Sequence, residues 1–281
     1  MPEGDTLFRT AEVLRAVLAG RPVTEARGRP GGARVDLLRG RTIEGVESRG
    51  KHLLVHASGG LTLHTHLGMH GSWHRYREGE AWRRTPADAV AVLGVPGAVA
   101  VCFSAPVVEI LDTRALAVHP VLSRLGPDLL APEPALGEAA ARIRVLGTEG
   151  RSIGDVLLDQ RALAGVGNVY RSEVCFLERV NPATQVEALD DATLGRLVET
   201  SRRLLAANTH GPFRTTTGDA TAGNGRGAGR LWVYGRTGRP CRRCGTLIRS
   251  ESSPPLARRV YWCPVCQPTI TPARRTPGPS S

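Results

Sequence analysis

Four cysteines set the tightest constraint on this chain. Cys241, Cys244, Cys263 and Cys266 stand in a C-x2-C-x18-C-x2-C pattern, and two such turns joined by a hairpin can bring four thiolates to the corners of one tetrahedron. The spacing predicts a ribbon closed around one zinc ion. With all four ligand positions supplied by protein, the ion is structural and holds a hairpin too small to fold alone. A pair of disulfides is the competing reading, and it needs an oxidising compartment. Glu3 and Asp5 occupy the stretch that would be basic in a signal peptide, so the expected location is the cytoplasm and thiolates are favoured. Cys102 and Cys175 lie in apolar surroundings and read as buried thiols.

The charge is polarised along the chain. The 281 residues carry a net charge of +11, yet from Ser201 onwards there are 14 Arg against only Asp219 and Glu251. Residues 1–200 hold 23 basic and 24 acidic groups. A half-molecule of this kind attracts a polyanion and binds it by displacing counterions, which makes nucleic acid the leading partner; a merely basic surface would carry the same charge. A membrane is not expected. The uncharged run 89–108 is 20 residues long, but Gly94-Val95-Pro96-Gly97 splits it into what reads as two strands about a turn. Of the 37 basic residues 36 are Arg, and Lys51 is the only lysine. Where arginine serves every generic need for positive charge, a retained lysine marks a place that needs the compact ammonium itself.

Periodicity divides the chain. Apolar residues recur at helical spacing from Thr6 to Leu18. Short strand-like stretches follow at Val35 to Leu38, Thr42 to Ser48, His52 to Ala57, Gly60 to Leu67, Ser72 to Tyr76, Val90 to Leu93, Val99 to Phe103 and Val107 to Leu111, the spacing of a sandwich or barrel. Helical patterns take over at Ala135 to Val145, Ile153 to Leu158, Asn168 to Leu177 and Ala192 to Ala207. The expected fold class is α+β, with four segments: an N-terminal β-sandwich with a flanking helix (1–117), a helical domain (120–222), a four-cysteine ribbon (228–268) entered by a strand at Leu231 to Tyr234, and a disordered tail (269–281). The division between the two halves is expected near residues 115 to 125. Residues 211–230, rich in Gly, read as a linker or a loop that orders on a ligand.

Several residues carry possible chemistry. Removal of Met1 would leave Pro2 with a secondary amine whose pKa of roughly 8 keeps part of it unprotonated near neutrality. Such an amine can attack a carbonyl-like carbon and form an iminium ion, with Glu3 as proton donor if burial raises its pKa. Gly165 and Gly167 make a tight turn ahead of Asn168, and the amides at that helix start form a phosphate site. Arg242, Arg243, Arg249, Arg258 and Arg259 lie along the ribbon, where a guanidinium can meet a phosphate or a base with little freedom to lose. His64, His66 and His70 are spaced closely enough to raise a second metal site.

In order along the chain, Met1-Pro2-Glu3-Gly4, Gly50-Lys51-His52-Leu53-Leu54, His66-Leu67-Gly68-Met69, Leu125-Gly126-Pro127-Asp128, Leu157-Leu158-Asp159-Gln160, Gly165-Val166-Gly167-Asn168-Val169-Tyr170 and the ribbon ending Tyr261-Trp262-Cys263-Pro264-Val265-Cys266-Gln267 resemble the formamidopyrimidine-DNA glycosylase and endonuclease VIII family. The resemblance covers nearly all of the chain outside the glycine loop and the tail. It implies a helix-two-turn-helix domain and a bifunctional DNA glycosylase and abasic-site lyase of base-excision repair, acting on damaged DNA as a monomer without an organic cofactor and associated with the nucleoid when bound. It also implies that Pro2 attacks the sugar of a flipped nucleoside with help from Glu3, and that the strand is cut by β,δ-elimination. By the same resemblance Lys51 contacts phosphate and moves protons, Arg258 grips the phosphates flanking the lesion, Asn168 binds backbone phosphate and Met69 wedges into the gap. Two departures matter. Thr6 stands where family members often carry a further glutamate. Ser104-Ala105-Pro106-Val107-Val108-Glu109 stands where the oxidised-purine branch has its Pro-Arg-Arg-Phe-Gly-like loop, which favours the endonuclease VIII branch and oxidised pyrimidines. The rival reading from another class is a non-catalytic zinc-ribbon DNA-binding protein or damage sensor.

Overall fold

The computed structural model describes residues 2–211, 213–218, 231–253 and 258–269. Most of the glycine-rich stretch and nearly all of the expected tail lie outside them. The chain divides into two compact units, Met1–Pro132 and Glu133–Ser281. Among the described residues no helix is long and apolar enough to cross a membrane.

The first unit opens with helix α1 (Gly4–Leu18), whose Leu7, Ala11, Leu14 and Leu18 recur on one face and are fully buried. Eight strands follow: β1 (Glu25–Gly28), β2 (Ile43–Arg49), β3 (His52–Ala57), β4 (Leu61–His66), β5 (Ser72–Arg77), β6 (Ala89–Val95), β7 (Ala98–Phe103) and β8 (Val107–Asp112). They form two antiparallel four-stranded sheets, ordered β2-β3-β4-β8 and β1-β6-β7-β5. Leu53, Val55 and Leu63 from one sheet share a core with Leu93, Val95 and Cys102 from the other and with the apolar face of α1. This is the expected sandwich with its flanking helix. The uncharged run becomes the β6–β7 hairpin, turned at Pro96-Gly97, where Gly97 takes a φ of 76°. Val35–Leu38, expected as a strand, is instead a turn of 3-10 helix. Val35 and Leu38 are both buried, and a three-residue period brings both to one face where a strand's two-residue period would separate them.

A short helix α2 (Thr113–Ala117) follows β8. The stretch from Leu122 to Asp128 belongs to the first unit, since the Asp128 carboxylate accepts the Gly50 amide at 2.8 Å.

The second unit contains α3 (Leu136–Leu146), α4 (Ile153–Val156), α5 (Asn168–Leu177), α6 (Asp191–Ala207) and a ribbon of β9 (Arg249–Ser253) paired antiparallel with β10 (Arg258–Trp262). α6 packs on α3 and α5, and α5 also carries the ribbon. Leu231 to Tyr234 does not form the expected strand. The amides of Trp232, Val233 and Tyr234 all donate to the carboxylate of Glu173 on α5, at 2.8 to 2.9 Å. A segment whose donors converge on one carboxyl group has none left for a ladder.

Candidate functional site

One end of the first unit gathers the N-terminal candidates. The Gly20 amide donates to the Ile43 carbonyl and the Arg15 guanidinium to the Val46 carbonyl, so α1 runs alongside β2 in the opposite direction. From Arg15 back to Glu3 the helix climbs roughly 18 Å, and from Val46 on to Lys51 the strand climbs roughly 16 Å. Pro2, Glu3 and Lys51 therefore arrive at the same end.

Glu3 is the N-cap of α1 and its side chain is fully buried, as is that of Asp5. The Glu3 carbonyl accepts the Thr6 and Leu7 amides. Asp5, which sequence reasoning passed over, is a second buried carboxylate beside the unusual Thr6, with the Arg9 guanidinium 3.6 Å away. An acidic residue in the first turn of a helix suits the macrodipole, and that was the available signal.

Lys51 sits at the tip of the β2–β3 hairpin. Arg49 pairs with His52, so Gly50 and Lys51 alone make the turn. Gly50 takes a φ of 56°, and a two-residue hairpin with its positive φ at the first central position requires glycine there. The next strand pair ends at the same rim, because His52 pairs with His66. The turn leaving His66 carries Met69, which is 65% exposed and not an ordinary core methionine. Gly68 has a φ of 57°, and a Cβ there would stand 2.8 Å from the Pro106 ring.

The three spaced histidines do not come together as one set. His70 is exposed, and the His66 Nδ1 accepts the Gly68 amide. His64 is joined instead to Glu109 and His119, with all three ligand-type atoms within 4.8 Å of one another. Glu109 is its direct cross-strand partner.

In the second unit, Asn168 is the first residue of α5 and is nearly buried. One of its amide N–H groups goes to the Arg259 carbonyl at 2.9 Å, and its Oδ1 accepts from the Arg171 guanidinium. Arg171, buried to 1% exposure, also donates to the Arg258 carbonyl at 3.3 Å and faces Asp155 at 3.7 Å. Arg171 thus ties the helix start to the ribbon strand that carries Arg258, whose side chain is half-buried. Sequence reasoning passed over Arg171 and Glu173, although two charges on an otherwise apolar helix face were a usable signal.

The four cysteine sulfurs lie within 4.8 Å of one another, with Cys241 to Cys266 at 3.9 Å and Cys244 to Cys263 at 3.5 Å. A tetrahedron with metal–sulfur bonds of about 2.3 Å has edges of about 3.8 Å. The donor set fits a zinc ion.

A β-sandwich led by a helix, a helical domain and a four-cysteine ribbon together define a DNA glycosylase of the helix-two-turn-helix type. Residues 1–105 match the formamidopyrimidine-DNA glycosylase N-terminal domain, and residues 125–216 match the formamidopyrimidine-DNA glycosylase H2TH domain. The chain belongs to the formamidopyrimidine-DNA glycosylase and endonuclease VIII family. It is 44% identical to a probable endonuclease 8 2 of Streptomyces coelicolor, with 98% of each chain covered. It is 43% identical to the DNA-(apurinic or apyrimidinic site) lyase Nei2 of Mycolicibacterium smegmatis over 95% of this chain and 99% of that one. Its fold is that of the Lactococcus lactis formamidopyrimidine DNA glycosylase bound non-covalently to DNA containing an abasic site, with a TM-score of 0.77 at 22% identity, covering 95% of this chain and 100% of that one.

Proposed function

We propose that this chain excises oxidised pyrimidines from DNA and cuts the strand at the resulting abasic site, acting as a monomer. The observation that carries the reading is the arrival of the α1 N-terminus, the Lys51 tip and the Met69 turn at one end of the first unit.

Once Met1 is removed, the Pro2 nitrogen attacks the sugar C1′ of a nucleotide turned out of the duplex. The bond from C1′ to the base breaks, and the base leaves with a proton. Glu3 protonates the ring oxygen as the sugar opens, giving an iminium ion between Pro2 and C1′. That cation acidifies the C2′ proton; its loss expels the 3′ phosphate, and a second elimination expels the 5′ phosphate. Water then releases Pro2. Lys51 binds a phosphate and moves protons in these steps, a role for a compact ammonium. Met69 fills the gap left by the turned-out nucleotide. Asn168 and Arg258 hold the backbone phosphates, with Arg171 fixing both. Cys241, Cys244, Cys263 and Cys266 hold one zinc ion, which pins the ribbon and takes no part in the chemistry. The choice of oxidised pyrimidines follows from Ser104–Glu109 standing in place of an arginine-rich wedge loop.

The test is to incubate the protein with an oligonucleotide containing an abasic site, add borohydride and map the adduct by mass spectrometry. Attachment at Pro2 with Met1 absent is expected. No adduct, despite tight binding and confirmed loss of Met1, would favour a DNA-binding protein without catalysis.

A further inference from the structure

The residues on either side of Lys51 are both tied down, by groups that come from distant parts of the first unit. On one flank, the Gly50 amide donates to Asp128 Oδ2 at 2.8 Å, and the Leu130 amide donates to Oδ1 of the same carboxylate at 2.9 Å. On the other flank, His52 begins a chain of hydrogen bonds that runs from the buried His64 out to the partly exposed Glu109. His52 Nδ1 lies 2.9 Å from His64 Nε2, His64 Nδ1 lies 2.8 Å from Glu109 Oε2, and His119 Nε2 lies 3.1 Å from that same oxygen.

The protons in this chain can be placed. The amides of Val121 and Leu122 both point at His119 Nδ1, at 3.2 and 3.1 Å, so that nitrogen accepts and the ring proton is on Nε2. His119 therefore donates to Glu109. The carboxylate also accepts from His64 Nδ1, which leaves His64 Nε2 as an acceptor for the His52 Nδ1 proton. Every proton points toward Glu109. Burial pushes the Glu109 carboxyl up, but the bonds from His64 and His119 more than offset it and hold the group below the usual carboxylate range. A metal ion at His64, Glu109 and His119 would need the His119 Nε2 lone pair and hence a proton on Nδ1, directed at two N–H groups. The arrangement is a hydrogen-bonded frame and not a metal centre.

We propose that Asp128 on one side, and His52, His64, Glu109 and His119 on the other, are positioning residues that fix the Gly50–Lys51 turn and so hold the Lys51 ammonium in place at the candidate site. A two-residue hairpin tip has only its two strands to restrain it, and a lysine there carries four rotatable side-chain bonds. Fixing both neighbours removes the backbone part of that freedom before substrate arrives. The inference rests on the reading of Lys51 as the cation of the proposed reaction.

The test is a double-mutant cycle on single-turnover cleavage at a preformed abasic site in duplex DNA, using the full chain, with folding checked by thermal melting. Glu109→Gln and Asp128→Asn are each expected to slow cleavage at saturating enzyme roughly 10-fold or more with DNA affinity unchanged, since small misplacements of a reacting group cost rates of that order. On a Lys51→Arg background neither is expected to cost anything further. Additive losses, or wild-type rates in both single variants, would overturn the proposal. Should Glu109→Gln fail to fold, Asp128→Asn and His119→Gln carry the cycle. A second readout does not depend on activity. Protein grown with [15N]lysine carries one labelled residue, and the Lys51 amide signal is expected to shift in each variant. If Lys51→Arg retained full activity while these shifts were present, the catalytic reading of Lys51 would fall and the frame would stand. An unmoved signal would remove the frame and leave the catalytic reading intact.

Discussion

His52 gives the most quantitative prediction. It is 7% exposed, and its imidazole is pushed from an ordinary 6.5 down to about 3 by burial, with the positive charge that His66, His64, His119 and Lys51 can carry adding to the effect. The folded state therefore binds fewer protons at this site than the unfolded state between those two values. Stability contributed by neutral His52 is complete above pH 6.5 and is lost as the pH falls toward 3. At pH 5 the unfolded imidazole is almost fully charged and the folded one almost fully neutral. The loss is then roughly 1.4 kcal/mol for each of about 1.5 pH units, or about 2 kcal/mol. At pH 3 it reaches about 4 kcal/mol. Urea unfolding of wild type and His52→Gln at pH 8 and pH 5, followed by the fluorescence of Trp73 and Trp82 in the first unit, measures the difference. Glutamine keeps a donor for His64 Nε2 but does not titrate. With a urea slope of about 2 kcal/mol/M, the wild-type midpoint should fall by about 1 M more than that of the variant between the two pH values. Burial also lowers His64, so both proteins should lose stability in acid, the wild type by more. Equal shifts in the two proteins would refute the assignment of His52 as a buried neutral imidazole.

Other expectations follow from the same structure. The purified protein should contain one zinc per chain by elemental analysis; Cys263→Ala should lose it together with DNA binding, while retained binding without metal would show that the ribbon folds unaided. Glu173→Gln replaces one of the two oxygens that accept three backbone amides and the Thr216 hydroxyl with an NH2 group facing those donors. It should destabilise the second unit by about 3 kcal/mol or more, read from Trp232 fluorescence on denaturation, and a change under 1 kcal/mol would contradict the role given to that carboxylate. Met69→Ala should lose excision of a lesion in duplex DNA more than cleavage at a preformed abasic site. Equal losses would argue against a wedge.

What the sequence made legible was what local spacing encodes. The cysteine pattern located the ribbon, alternation located most of the strands, and the single lysine among 36 arginines drew attention to Lys51. Val35–Leu38 was a wrong period within one short segment, and the two other errors came where a segment's partner lies far away. Leu231 to Tyr234 has the side chains of a strand, but Glu173, some sixty positions earlier, takes its amides. His64 was grouped with His66 and His70 because they are near in sequence, whereas the β4–β8 register sets it against Glu109. No window of sequence contains that pairing.

The same distinction bears on how Lys51 is to be understood. Composition identifies the residue, but an ammonium at a hairpin tip is useful only when its backbone is held. The groups that hold it come from the end of β4, from β8, from the turn after α2 and from Asp128, between 13 and 77 positions away in the chain. Each of these residues has an innocuous reading by itself: a core histidine, a strand glutamate, a turn aspartate. Their shared property is the chain of hydrogen bonds they form, which reaches Gly50 directly through Asp128 and reaches His52 through His64, with Glu109 and His119 behind it. Substituting any one of them should therefore resemble a partial loss of Lys51 more than a general loss of stability, and for that reason the Lys51→Arg background, rather than the melting temperature, is the discriminating measurement.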